Sequence, residues 1–177
     1  MPETNGKLDR TRIALTGFMG VGKTSVARHL ANLMRCERLD LDLFIEQSER
    51  RRIVEIIDSD GIDAYRIIET RNLKDALCRP GVKILSLGGG TWTVPENREM
   101  IRECGLTSIW LDSTFDHCWS NIRRSRKERP LARNKAATQK LFEDRQEVYC
   151  LADWHFVVKA DLSSMDVARQ IMEEVFS

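Results

Sequence analysis

A chain of 177 residues with 42% hydrophobic and 31% charged side chains carries enough apolar material for one proper core and enough charge to stay in water. Its 28 basic and 27 acidic side chains leave a formal charge of +1, so no global field draws it to nucleic acid or to an anionic membrane. Five scattered cysteines (Cys36, Cys78, Cys104, Cys118, Cys150) form no C-x-x-C pair and leave one over, which points to free thiols in a reducing compartment, the cytoplasm, and away from a disulfide frame or a zinc site.

Residues 1–10 read as a flexible tail, polar and without the apolar stretch of a secretory signal. No apolar run approaches the ~20 residues needed to span a bilayer. Arg12-Ile13-Ala14-Leu15-Thr16 is predicted to be a short buried strand. The eight residues Gly17-Phe18-Met19-Gly20-Val21-Gly22-Lys23-Thr24 that follow satisfy G-x-x-x-x-G-K-[ST], the phosphate-cradling P-loop. Glycines let backbone N–H groups crowd a phosphate without a clashing Cβ. Lys23 supplies a mobile charge for the β- and γ-phosphates, and Thr24 offers a hydroxyl to Mg²⁺. Val26, Ala27, Leu30, Leu33 and Met34 mark one face of a following helix, whose N-terminal dipole favours anions. No G-x-G-x-x-G is present, so a dinucleotide site lacks its main support.

A brief strand is predicted to end at Leu39-Asp40, and Asp40 with Asp42 sets two carboxylates where ligands gather in a parallel sheet. One could reach toward a metal and the other toward an acceptor hydroxyl; alternatively, Asp42 caps the helix beginning Leu43-Phe44-Ile45. Residues 42–79 look almost wholly helical, too long for one crossover, which implies an inserted helical subregion. Within it Arg66 and Glu69 share a helix face at (i, i+3), either as an oriented guanidinium or as a weak surface pair. Val82–Leu87 is a predicted strand. The Gly88-Gly89-Gly90 that follows serves a tight turn or a backbone lying against a ligand. Thr107–Leu111 is another predicted strand. Residues 123–135 hold seven cations against one acid with no aromatics for base stacking, which suits a mobile loop closing over nucleotide phosphates. Arg145 lies in a charged helix, by itself indistinguishable from a surface arginine. His155–Val158 and the helical spacing of Val167, Ala168, Ile171, Met172 and Val175 end the chain with one more strand and helix. Strands alternating with helices predict a parallel sheet covered on both faces.

Taken together and in this order, these segments resemble the shikimate kinases over about residues 12–176. The resemblance rests on GFMGVGKT, Asp40-x-Asp42, Asp60-Gly61 with Tyr65-Arg66-x-x-Glu69, Ser86-Leu87-Gly88-Gly89-Gly90, Arg129-Pro130-Leu131, and Arg145 with Tyr149. It implies one domain over 1–177: a five-stranded parallel sheet flanked by helices, of the P-loop nucleoside monophosphate kinase type, with a helical substrate-binding region (43–79) and a lid (123–135). The implied activity is ATP-dependent phosphorylation of the 3-hydroxyl of shikimate, on the route to aromatic amino acids, by a monomer without nucleic-acid or membrane partners. By position, the resemblance assigns the ATP phosphates to Gly20, Val21, Gly22, Lys23, Thr24 and Ser25, joined by Arg129 from the lid. It assigns Mg²⁺ to Thr24 and Asp40, and shikimate to Asp42, Arg66, Gly89 and Arg145. Lys23, Asp42 (the candidate base) and Arg129 are the implied catalytic groups. Arginine suits an acidic polyol, because a desolvated carboxylate is held best by a bidentate, permanently charged partner. The alternatives are a kinase for another hydroxy acid, such as a gluconate-like one, and a nucleotide-binding regulatory module without turnover. The chain departs from the family pattern at Ala132, Tyr65 and Glu147, and in lacking an arginine in residues 160–164.

Overall fold

Five short strands, β1 (Ile13–Thr16), β2 (Glu37–Asp40), β3 (Val82–Ser86), β4 (Thr107–Asp112) and β5 (Trp154–Val157), make one sheet in the order β2-β3-β1-β4-β5. Every pairing is parallel, with Leu15 opposite Ser86 on one side and Ile109 on the other. This is a computed structural model that describes residues 12–177; the expected N-terminal tail lies outside the described residues. Composition explains the order. Ile13, Ala14, Leu15, Ile109 and Leu111 have no exposed surface, as the central strands of a two-sided sheet require. β2, with charged Glu37 and Arg38 exposed, can stand only at an edge.

Eight helices complete the described residues: α1 (Lys23–Met34), α2 (Leu41–Glu49), α3 (Ile53–Asp60), α4 (Ile62–Leu77), α5 (Pro95–Glu103), α6 (Phe115–Arg124), α7 (Lys135–Tyr149) and α8 (Ser164–Phe176). α1 packs on β3 and α8, and α5 packs on β4 and α4. One continuous apolar core joins Ile13 in β1 to Ile171 in α8. The helical insertion is three helices separated by Arg50–Arg52 and Gly61.

Several boundaries differ from expectation. α2 starts at Leu41, two residues before the expected 43, because Asp40 is its cap and accepts a hydrogen bond from Leu43 N at 3.2 Å. Asp42 is therefore relieved of capping and sits in the first turn. Arg123 and Arg124 belong to the end of α6 and Lys135 to the start of α7, so the loop is shorter than 123–135; Pro130–Ala132 within it forms a 3-10 turn. The buried face of α1 is rotated toward Ala31, which leaves Leu33 on the rim, 41% exposed. α5 and α6 had no assignment from the sequence, although Phe115, Cys118, Trp119 and Ile122 of α6 stand at i, i+3, i+4 and i+7.

Candidate active site

The phosphate side is built from one contiguous stretch. β1 ends at Thr16, the chain turns through Gly17–Gly22, and α1 opens at Lys23, so the unpaired N–H groups of its first turn face the turn. Gly22 has φ +105°, a left-handed conformation that side chains rarely adopt, and nothing lies within 4 Å of where a Cβ would stand. The cradle is open on that side. Lys23 Nζ folds back to donate to Gly17 O (2.6 Å) and Phe18 O (3.0 Å). Loss of water around this ammonium pulls its pKa down to about 8, against the raising influence of Asp42. Thr24 Oγ1 donates to Asp40 Oδ2 at 2.9 Å. Gly20, Gly22, Lys23, Thr24, Ser25 and Asp40 line a single cleft, whereas the side chain of Val21 is buried in the core and leaves only its backbone available.

The acceptor side gathers distant segments. Leu87 N donates to Leu15 O at 3.0 Å, which sets the triple glycine beside the P-loop. Gly90 is required by this chain's own side chains: a Cβ there would stand 2.6 Å from Arg66 Cζ. Arg66 Nη1 donates to Glu69 Oε2 at 2.7 Å, and Glu69 Oε1 accepts from Thr91 Oγ1, also at 2.7 Å. Glu69 is 1% exposed, so this is no surface pair. Arg145 is no surface arginine either. It is 6% exposed, its Cζ lies over the Phe18 ring (5.9 Å to the ring centroid), and its Nη1 lies close to Gly89. Burial lowers its pKa, and no described carboxylate forms a salt bridge with it. Tyr149, four residues on, donates to Gly89 O at 2.5 Å, and burial pushes its phenol up to about 12. Asp42, Arg66, Gly89, Arg129 and Arg145 all line one cavity of about 450 Å³.

The loop after α6 roofs both spaces. Arg129 is half-buried, its Nε has no hydrogen-bond partner among the described residues, and burial lowers its pKa. Arg133 grips Asp58 of α3 with both nitrogens at 3.0 and 2.8 Å. Lys127 Nζ donates to Asp42 Oδ2 at 2.9 Å. Sequence reasoning gave Lys127 no role of its own, hidden as it is in a run of seven cations; Glu69 was paired with Arg66 and Tyr149 noted beside Arg145, but their bonds to Thr91 and Gly89 show only in the fold.

A P-loop at the carboxyl end of β1, beside a separate cavity that holds a carboxylate and two arginines under a basic loop, defines a P-loop kinase of small molecules. The family model for shikimate kinase matches residues 19–176. A shikimate kinase of Cereibacter sphaeroides is 38% identical over 144 residues, covering 80% of this chain and 71% of its own. One of Brucella canis is 31% identical over 164 residues, covering 91% and 80%. The solved shikimate kinase from Acinetobacter baumannii in complex with shikimate superposes with a TM-score of 0.84 at 29% identity, over 93% of this chain and 92% of that one. The chain belongs to the shikimate kinase family.

Proposed function

We propose that this enzyme transfers the γ-phosphoryl group of ATP to the 3-hydroxyl of shikimate, giving ADP and shikimate 3-phosphate for the synthesis of aromatic amino acids. The observation that carries this reading is Arg145: a buried guanidinium with no salt-bridge partner among the described residues, in one cavity with Asp42. Its neighbours are already balanced, Arg66 by Glu69 and Asp42 by Lys127. With Arg129 also lining the cavity, positive charge is in excess there, and a small ring acid offsets it at Arg145. Arg66 and Arg145 approach the carboxylate from α4 and α7 and fix the ring's orientation, with the Gly89 backbone beneath.

Asp42 then faces the hydroxyl to be phosphorylated. In a loose transition state its main task is to orient the attacking oxygen, with proton removal coming late. Gly20, Val21, Gly22 and Ser25 offer backbone and Lys23 a cation to the phosphates, and Arg129 meets the transferred group from the lid. Lys23 and Arg129 are both partly stripped of water, so their charges act strongly on a phosphoryl group that spreads its charge over the outer oxygens.

Thr24 and Asp40 fit Mg²⁺. They present a hydroxyl and a carboxylate within 2.9 Å of each other in the phosphate cleft, and this ion prefers few protein oxygens, water and nucleotide phosphates to a full protein cage. When bound, Mg²⁺ would neutralise charge on the phosphate oxygens. We assign α2–α4 to acceptor binding and the loop between α6 and α7, residues 125–134, to the lid of a single-domain monomer, because one chain supplies every group named. A cytoplasmic location accords with the five free thiols.

The test is a coupled assay of ADP release with ATP, Mg²⁺ and a panel of hydroxy acids. Stoichiometric shikimate 3-phosphate, with no turnover of gluconate, is the expected result. Turnover of gluconate but not shikimate, or ATP binding without transfer to any acid, would overturn the reading.

A further inference from the structure

We propose that Lys127 sets the choice between the acceptor hydroxyl and water. With the acceptor absent, its ammonium occupies the reachable oxygen of Asp42 and keeps that carboxylate from orienting a water molecule at the terminal phosphate. The proposal rests on the reading of Asp42 as the acceptor-orienting carboxylate. Its basis is geometric. Asp42 Oδ2 is bonded to Lys127 Nζ at 2.9 Å. The other oxygen, Oδ1, is turned against Gly88, 2.8 Å from where a Cβ on that glycine would be. One oxygen is thus engaged by Lys127 and the other lies beside the Gly88 backbone before any ligand arrives.

The lysine is also placed to move. Asp42 and Lys127 line both the acceptor cavity and the phosphate cleft, so they stand at the junction of the two. The Lys127 side chain is 45% exposed and that of Asp42 24%, and a pair this hydrated yields readily to a competing hydrogen-bond donor. The Arg133–Asp58 pair ties the same loop to α3, so the lysine is presented to Asp42 even in the empty enzyme. An acceptor seated on Arg145 brings its hydroxyl to Asp42 and displaces the ammonium toward the nucleotide phosphates, which attract it. Water has no such anchor and competes poorly.

The reaction held back is hydrolysis. A water oxygen bonds to the γ-phosphorus while the bond from that phosphorus to the β–γ bridging oxygen breaks. ADP leaves with that electron pair, and the water's proton passes to Asp42 and then to solvent, leaving inorganic phosphate. Lys127 is thus a positioning residue that acts through Asp42.

The experiment measures ADP release at saturating ATP, without acceptor and with varied shikimate, for the wild-type enzyme, Lys127→Met and Lys127→Arg. Lys127→Met is expected to hydrolyse ATP about fivefold faster without acceptor and to show a correspondingly lower KM for shikimate; a fivefold change is about 1 kcal/mol at 1.36 kcal/mol per tenfold. Lys127→Arg, which keeps the charge, is expected to stay near wild type in both. Lys127→Gln, read beside a thermal melt of each protein, guards against a folding defect. Acceptor-free hydrolysis by Lys127→Met and Lys127→Gln at or below the wild-type rate overturns the proposal. The decisive rate is read without shikimate, so a failure of shikimate to serve as acceptor would strike the functional reading and leave this result separately legible.

Discussion

The phosphate side and the acceptor side of this enzyme meet at Asp42 but are made in opposite ways. The phosphate side is nine consecutive residues, Gly17–Ser25, whose grip comes from backbone conformation and one folded-back lysine. The cavity proposed for the acceptor collects Asp42, Arg66, Gly89, Arg129 and Arg145 from five places in the chain, and on that proposal its selectivity comes from which of their charges are left unbalanced. A local motif can therefore be carried intact on many folds, whereas the acceptor pocket exists only when the whole topology is right. Substitutions on the two sides should fail differently.

The largest separation is expected from Arg145→Ala. Loss of a buried charge partner for the bound acid should lower kcat/KM for shikimate by about 3–5 kcal/mol while leaving ATP affinity unchanged, as titration calorimetry would show. Equal losses of ATP and shikimate binding would break the division between the sides. Lys23→Ala should lower kcat by about 10²–10³-fold, the scale of removing one preorganised donor to a developing charge, with little change in ligand-free melting temperature. A large fall in that temperature would make Lys23 structural.

The acceptor side can itself be divided. Arg66→Met strands Glu69, 1% exposed, and should destabilise the empty enzyme by about 1–3 kcal/mol in denaturant unfolding. Arg145→Met removes a buried charge that has no salt-bridge partner among the described residues and should leave the empty enzyme as stable as wild type or more so. Identical stability losses for the two would contradict the charge balance described for the cavity.

The smallest effect is a proton. Lys23 in the empty enzyme has its pKa lowered to about 8 from an ordinary 10.5. Between these values the unfolded chain binds more protons than the folded one, so this group makes stability rise with pH there and fall as pH drops toward 8. Nucleotide phosphates restore the charge, so ADP binding above pH 8 should take up a fraction of a proton. Calorimetry in buffers of different ionisation enthalpy reads it directly, and Lys23→Met should abolish it. Proton release on binding would reverse the sign of the argument.

The fold was legible because its strands are short apolar runs and its P-loop is contiguous. α5 is hard to read because its apolar residues are few, whereas α6 was missed although Phe115, Cys118, Trp119 and Ile122 repeat at helical spacing, because the basic run that overlaps its end reads as a loop. At the site, Gly17–Thr24 could be read outright. Arg66 and Arg145 looked like surface arginines, because (i, i+3) spacing and helix charge carry no information about burial. Only the crossing of α4, α7 and the loop after β3 encloses them. The triple glycine was legible as a need for close approach, but the group approaching Gly90 is Arg66 itself, which no local pattern discloses.

One structure of the enzyme with ADP and shikimate bound tests the central claim most directly. The account predicts the shikimate carboxylate between Arg66 and Arg145, its 3-hydroxyl within hydrogen-bond distance of Asp42, and Lys127 withdrawn from that carboxylate. A shikimate whose carboxylate lies outside the reach of both arginines, or whose 3-hydroxyl faces away from Asp42, would contradict it.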